Sequence, residues 1–392
     1  MEEEDFYSIK EKLREHLDSG RQNWLFGAGI SFNSNIPLMF PLTDRVKKMI
    51  DDSGLQKNID LYQSICDDLD SKSHIEHYLS HLGDLIALSD RSKLKLSKIG
   101  DKQYTKHELL ELYKYIIVSI GDTIRFGYKN DGTEIIGNSE SPIIEVNHHI
   151  EFIKALFNNR SNLTSRSKLT FFTTNYDTLL EDALALQNYK VIDGFSGGSV
   201  GFWNPNQEFS AAIDDPNKCY LYKLHGSIDW QNDPEYGLIR IRYGTKYLSN
   251  TSDIIIYPQA TKYIETQKDP FSYLFAGFRK SLNHSQDNVL ITCGYSFGDD
   301  HINSEIESAL SSKDNRTTLI VFVQERPSND IVINVTIDKW ISNSKFKERI
   351  YVAGEKGIYY NSLTPFKLDD NKDLQWWTFN GLMKFIKTNS HE

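Results

Sequence analysis

Trp24-Leu25-Phe26-Gly27-Ala28-Gly29-Ile30-Ser31 decides how the chain is read. The short apolar run predicts a buried strand. It breaks into Gly-x-Gly, which permits a tight turn and close backbone approach to a ligand. Ser31 follows, then polar residues and Ile36-Pro37. A strand ending in such a loop ahead of a helix presents backbone N–H groups to an anion, which suits a dinucleotide pyrophosphate. Phe32 stands where the third glycine of the full fingerprint would be. An ordinary strand-to-loop turn is therefore the competing reading of this stretch alone.

Three later stretches change that balance: Thr173-Thr174-Asn175-Tyr176-Asp177, Lys223-Leu224-His225-Gly226-Ser227 and Cys293-Gly294-Tyr295-Ser296-Phe297-Gly298-Asp299-Asp300. Each follows an apolar, β-rich run. Four polar punctuations at four strand ends predict one site at the carboxyl edge of a parallel sheet. Asp177 or Thr178 could simply cap the next helix, which leaves Asn175 unexplained. A lone histidine is more often structural. His225, at a strand end beside three such motifs, is instead poised to accept a proton near neutral pH.

The composition is globular, with 39% hydrophobic and 25% charged residues. A length of 392 residues exceeds what one compact core usually holds, so either one large domain with an insertion or two domains is expected. A net charge of −10 argues against a broad nucleic-acid face or direct sequence-specific nucleic-acid binding. Cys66, Cys219 and Cys293 are too few for a Cys₄ zinc site and too scattered for a disulfide framework. Cys293, in an apolar strand, reads as a small core residue. The acidic N-terminus lacks the apolar region of a signal peptide, and no run is long enough to span a bilayer. A cytoplasmic chain with no membrane partner is the expectation.

Along the chain, residues 6–19 read as an amphipathic helix ended by Ser19-Gly20. Pro37 and Pro41 predict an irregular apolar flap, with Thr43-Asp44 capping the next helix. Residues 44–160 read as helical, carrying stripes over 74–88, 109–124 and 146–157 and an exposed loop over 126–142. His74, His77 and His81 could share a helix face and bind metal. A solvated polar face is favoured, because no H-E-x-x-H pattern accompanies them. From Leu169 the pattern alternates strand and helix to residue 324, with an aromatic, Gly-rich loop over 194–217 that could cover a pocket. Residues 236–270 are hard to read apart from a short strand at Asp253–Pro258. The resulting fold class is α/β: a Rossmann-like doubly wound parallel sheet with an inserted helical module. The expected division is 1–44 and 165–325 for the Rossmann domain and 45–164 for the module. Residues 326–392 form a C-terminal appendage, a candidate oligomer or partner contact.

The four motifs together resemble the sirtuin-like superfamily, specifically its bacterial NAD-consuming branch, over residues 20–45 and 165–310. Gly27-Ala28-Gly29-Ile30-Ser31 through Ile36-Pro37 is similar to the family's nucleotide loop. Asn175-Tyr176-Asp177 is similar to its Asn-x-Asp signature and His225-Gly226 to its His-Gly. Gly294-Tyr295-Ser296 is similar to its Gly-x-Ser turn. The four-cysteine zinc module of the protein deacylases is absent, and Leu38-Met39-Phe40 stands where they carry Asp-Phe-Arg. Both departures point towards the zinc-free NAD hydrolases of anti-phage defence, some of which work with a HerA-type hexameric translocase. The resemblance thus implies NAD⁺ as substrate, no structural zinc, and hydrolysis to nicotinamide and ADP-ribose. It also implies restraint by homo-oligomerisation or by a HerA-type ATPase partner. It assigns catalysis to Asn175, His225 and Asp177. It assigns nucleotide binding to Gly27, Ala28, Gly29, Ser31, Thr174, Gly294, Ser296 and Asp299, the last two at the adenosine ribose. An NAD- or ADP-ribose-binding sensor without turnover, and a deacylase or ADP-ribosyltransferase, are the alternatives.

Overall fold

The computed structural model describes residues 2–160, 169–210, 217–242, 253–256, 269–328, 330–368 and 373–387. Helix α1 (Glu2–Leu17) leads into β1 (Gln22–Phe26), followed by α2 (Met39–Asp52), α3 (Gln56–Asp68) and α4 (Ile75–Arg91). A hairpin of β2 (Leu96–Ile99) and β3 (Lys102–Thr105) precedes α5 (Lys106–Phe126). A second hairpin, β4 (Tyr128–Asn130) and β5 (Glu134–Ile136), precedes α6 (Asn147–Arg160). Then come β6 (Leu169–Thr173), α7 (Leu179–Leu186), β7 (Lys190–Ile192), β8 (Phe195–Gly197), β9 (Val200–Trp203) and α8 (Pro205–Ser210). Next are β10 (Lys218–Lys223), β11 (Gly226–Asp233), β12 (Gly237–Ile241), β13 (Asp253–Ile256) and α9 (Phe271–Leu282). The chain continues through β14 (Asn288–Cys293), α10 (Asp300–Ser311), β15 (Thr317–Phe322) and α11 (Val335–Ser342). It closes with β16 (Ile350–Ala353), β17 (Ile358–Tyr360) and α12 (Phe379–Lys387).

Eight strands form the main sheet in the order β17-β16-β15-β14-β1-β6-β10-β7. All neighbours are parallel except the β16–β17 pair. Every residue of β1, β6 and β14 is buried, as expected of strands covered on both faces. Trp24, Phe26, Phe171 and Ile291 face α1, α6, α7 and α12, while Leu25, Phe172 and Leu290 face α9, α10 and α11. This is the doubly wound α/β arrangement. From β1 the chain builds outward through β6 to one side and returns through β14 to the other, so the topological switch lies at β1.

Several expectations need correcting. Helix α6 does not belong with the helical module: Phe152, Ile153 and Leu156 pack against Trp24, Phe26 and Phe171. The segment after 325 is not an appendage. β16 and β17 extend the sheet, and α12 buries Phe379, Leu382 and Phe385 in the same core as β1. Met39–Pro41 form no flap but the first turn of α2. Proline fits there because first-turn N–H groups have no intrahelical partner. Thr43, expected as a cap, lies inside α2, and its Oγ1 accepts a hydrogen bond from the Ile75 N–H that opens α4. The segments read as helix or loop also hold the two hairpins and β8 and β9, which join β11, β12 and the expected short strand, β13 over 253–256, in a five-stranded antiparallel sheet, β13-β11-β12-β9-β8. Tyr257 and Pro258 lie outside the described residues. What remains as the helical module is α2 to α5, with its own core of Val46, Leu61, Leu79, Leu112 and Ile120.

Candidate active site

Strand register sets the site. Phe26 aligns with Cys293 on one side and Thr173 on the other, and Thr173 aligns with Lys223. The loops beginning at Gly27, Gly294, Thr174 and Leu224 therefore leave one edge at one level.

The glycine loop crosses the β14 loop in direct backbone contact. Gly27 N–H donates to the Cys293 carbonyl at 3.2 Å and Gly29 N–H to the Gly294 carbonyl at 3.0 Å. A Cβ on Gly27 would lie 2.4 Å from the Gly294 oxygen, and one on Gly294, where φ is +65°, 2.6 Å from the Ile30 nitrogen. The glycines are thus required by this crossing, which revises their expected role. Of the amides expected to cradle a pyrophosphate, Gly29 N–H is committed to Gly294 and Ser31 N–H to the Ala28 carbonyl. Exposed Ala28 keeps an N–H without an acceptor among the described residues. Gly27→Ala is expected to destabilise the fold by ~3 kcal/mol, since only backbone can yield. Gly83→Ala, in α4 with open space around it, should stabilise by about 0.5–1 kcal/mol. Urea unfolding of the two variants checks both signs.

Ser31, fully buried, joins two of the motifs. Its hydroxyl donates to Asp177 Oδ2 at 2.8 Å and accepts from Asn175 Nδ2 at 3.0 Å. A carboxylate can only accept, so the one hydroxyl proton goes to Asp177 and the Asn175 NH₂ must face Ser31. The Asn175 Oδ1 then points away, buried and without a hydrogen-bond partner among the described residues. Its backbone N–H is held by Thr173 Oγ1 at 3.0 Å. Thr174 ties this loop to β1, its N–H donating to the Phe26 carbonyl at 3.0 Å.

His225 sits where the chain leaves β10 for β11, a corner made by Gly226 at φ +89°. Its Nε2 lies 2.8 Å from Asp299 Oδ2, and both side chains are buried. Asp299 Oδ1 accepts from the N–H groups of His301 and Ile302, capping α10. Asp177 repeats the device after β6: its Oδ1 accepts from Leu179 N–H at 3.0 Å at the start of α7 while Oδ2 holds Ser31. Each aspartate thus clamps one site side chain to the helix behind it. Asp299 thus holds His225 through one oxygen and α10 through the other, a positioning role beside the ribose contact expected of it. Asp177 likewise acts on Ser31, and the capping reading of that residue holds in part. Ser296 is exposed, its Oγ 3.4 Å from the Gly298 N–H.

Three groups beside the site escape a reading of the sequence. Lys223, the last residue of β10, donates to the Asp177 carbonyl and lies 2.9 Å from Glu181 Oε1, both side chains buried. Burial pushes the Glu181 carboxyl up to about 7 against the pull of Lys223. Burial also works to lower the Lys223 ammonium, but Glu181, Asp229 and Asp177 outweigh it and hold it above the ordinary lysine value. A lysine closing the run Cys219-Tyr220-Leu221-Tyr222 was the available signal.

His149 of α6 is the third. Its Nδ1 lies 3.4 Å from Ser34 Oγ, its Nε2 is buried without a partner among the described residues, and burial pushes its pKa down to about 4 against the pull of Asp177. The unfolded chain protonates this histidine near its ordinary 6.5, the folded one only near 4. Stability should therefore be lost as pH falls across that window, by up to ~3 kcal/mol. Urea midpoints against pH should fall more steeply for the wild type than for His149→Gln.

His74, His77 and His81 do not converge on an ion. His81 pairs with Asp68 at 3.0 Å, and His74 and His77 stack at 3.9 Å. Among the described residues no group of three His, Cys, Asp or Glu side chains could hold a metal. No helix among them is long and apolar enough to cross a membrane.

A doubly wound sheet with polar side chains gathered at its switch point is the architecture of a nucleotide-using α/β enzyme. Residues 169–344 match the family model of the SIR2-like domain. No curated protein matches the chain. SIR2-like domains use NAD⁺ as substrate, and the match supports an NAD-utilising enzyme in general. The matched span contains Asn175, Asp177, His225 and the Gly294–Asp299 turn; the glycine loop lies ahead of it. The residues fit such a substrate: an unpaired buried acceptor at Asn175, an open amide at Ala28, and a histidine held by a carboxylate.

Proposed function

We propose that this chain hydrolyses NAD⁺ to nicotinamide and ADP-ribose. The observation that carries the reading is the Asn175 carboxamide, locked through Nδ2 onto Ser31 with its buried Oδ1 unpaired. Leaving a buried acceptor unmade costs about 1–3 kcal/mol, and a ribose hydroxyl or a water would satisfy it.

Nicotinamide leaves as a neutral molecule, taking the electrons of the bond to C1′, and the ribose passes through an oxocarbenium-like transition state. Water then adds to C1′ and its proton is lost. Asn175 Oδ1 holds the ribose or orients that water. His225, its Nε2 held by Asp299 Oδ2, serves as the general base. Asp177 and Asp299 position Ser31 with Asn175, and His225. The edge formed by Ala28, Thr174, Gly294 and Ser296 takes the nucleotide.

Hydrolysis is preferred over deacylation or ADP-ribosyl transfer because the chain carries neither the cysteines of a zinc module nor Asp-Phe-Arg after Pro37. A nucleotide sensor would need no base, and the His225–Asp299 pair favours turnover. Purified protein should release nicotinamide at the same rate with and without acylated peptide. A strict requirement for peptide would transfer the site to deacylation. Placement of this activity in cytoplasmic anti-phage defence, with NAD⁺ depletion ending in abortive infection, is supported by the resemblance alone. The same holds for restraint by homo-oligomerisation or a HerA-type ATPase.

A further inference from the structure

Tyr176 lies between Asn175 and Asp177 but belongs to a different neighbourhood. Those two side chains meet at Ser31, whereas the Tyr176 ring is buried in the core of the helical module with Leu179 and Ile228. Its hydroxyl donates to Glu76 Oε1 at 2.8 Å across 100 residues of sequence. Glu76 is buried in the first turn of α4, so the module places a carboxylate directly behind the site loop. The Tyr176 carbonyl accepts from Ile228 N–H at 3.0 Å and Ser227 Oγ at 3.3 Å, in the strand that begins just after His225. Its ring centroid is 6.5 Å from that of His225. One residue therefore touches the module through its hydroxyl, the Asn175 loop through the chain and the His225 strand through its carbonyl.

We infer that Glu76 and Tyr176 are a positioning pair through which the helical module sets the relative placement of Asn175 and His225. The inference rests on the proposed hydrolysis for its kinetic test. Neither side chain reaches the reacting atoms; both act through the loop that holds Asn175 and the strand that follows His225. A hydrogen bond to a buried carboxylate is strong enough to fix a loop, and small misplacements of reacting groups cost large factors in rate. A change in the module that moved α4 would reach both groups through this contact. Ser31, Asp177 and Asp299 are instead anchored on the main sheet and its helices, and Arg125 of α5 touches the strand after His225 through the Ile228 carbonyl at 3.3 Å.

The test is kinetic and uses the full chain. Tyr176→Phe keeps the ring and removes the donor. It should lower kcat about ten-fold while KM for NAD⁺ stays nearly unchanged. Glu76→Leu should match it, and the double variant should be no slower than either single one. Glu76→Gln keeps an acceptor and should restore most of the rate. A purely structural role would lower the melting temperature and leave kcat of the folded enzyme unchanged. That result, or additive losses in the double variant, overturns the inference. Should the wild type consume no NAD⁺, the hydrolase reading fails, and amide hydrogen exchange judges the pair alone. Glu76→Leu should then speed exchange over 174–177 and 226–229 more than over β6 and β10, and unchanged protection there refutes it.

Discussion

Replacing His225 with alanine should lower NAD⁺ turnover by about 10³-fold while the protein still unfolds in one cooperative step. The ring is buried at the corner between β10 and β11 and is held at Nε2 by Asp299. Asn175→Ala should cost about 10²–10³-fold, as expected for removal of one polar group aimed at the reacting centre. The lost bond to Ser31 should cost only about 1 kcal/mol of stability. Asp299→Asn distinguishes the two roles considered for that side chain. A ribose ligand would raise KM for NAD⁺, whereas a residue that holds His225 should lower kcat with KM little changed. Steady-state rates together with thermal unfolding of each variant decide among these outcomes.

Lys223→Met carries the largest expected loss of stability. The side chain is 2% exposed and its Glu181 partner 4% exposed. Removing one member of such a pair leaves a buried charge without compensation, at a cost of about 3–5 kcal/mol. The Asp177 carbonyl also loses its donor, so the Asn175 loop should loosen as well. The sign with pH follows from Glu181, whose carboxyl is pushed up to about 7 from its ordinary 4.5. Between those values the folded chain binds the proton more readily than the unfolded one, so this group's contribution to stability falls as pH rises. Without Lys223 the carboxyl should stay protonated to still higher pH. The variant's deficit should then be smaller near pH ~5 than near pH ~8 in urea titrations. Adding Glu181→Leu should recover much of the loss, since an apolar pair of similar size needs no compensation.

The middle of the central sheet, β15-β14-β1-β6-β10, was legible because its strands are buried and read as continuous apolar runs, as in Trp24-Leu25-Phe26 and Val289-Leu290-Ile291. Each run ends in glycine or a polar cluster, so the strand ends could be matched to one edge before their register was known. Beyond the short strand β13 the second sheet was not legible, because β8 and β9 are three and four residues long and the pairing of β9 with β12 is non-local. Helix α6 showed its apolar stripe, but a stripe does not say which core it enters; Phe152 meets Trp24 and Phe26 rather than the module. The same limit hid the tail, where α12 covers the sheet. Within the site, Asn175, Ser31, Asp177, His225 and Asp299 were singled out; the first three meet in one cluster and the last two in a pair, both at strand ends on one edge. The division of labour among them was not readable, because it depends on which carboxylate oxygen faces which donor. Lys223, Glu181 and His149 are single polar residues within apolar patterns, and only burial distinguishes them from surface groups.

The most direct measurement is chromatography of NAD⁺ incubated with the purified wild-type chain and, in parallel, with Asn175→Ala. Stoichiometric nicotinamide and ADP-ribose from the wild type, and neither from the variant, is the predicted result. Intact NAD⁺ retained in tight complex with the wild type, alone and with a HerA-type ATPase, would contradict the hydrolase and identify the site as a nucleotide sensor.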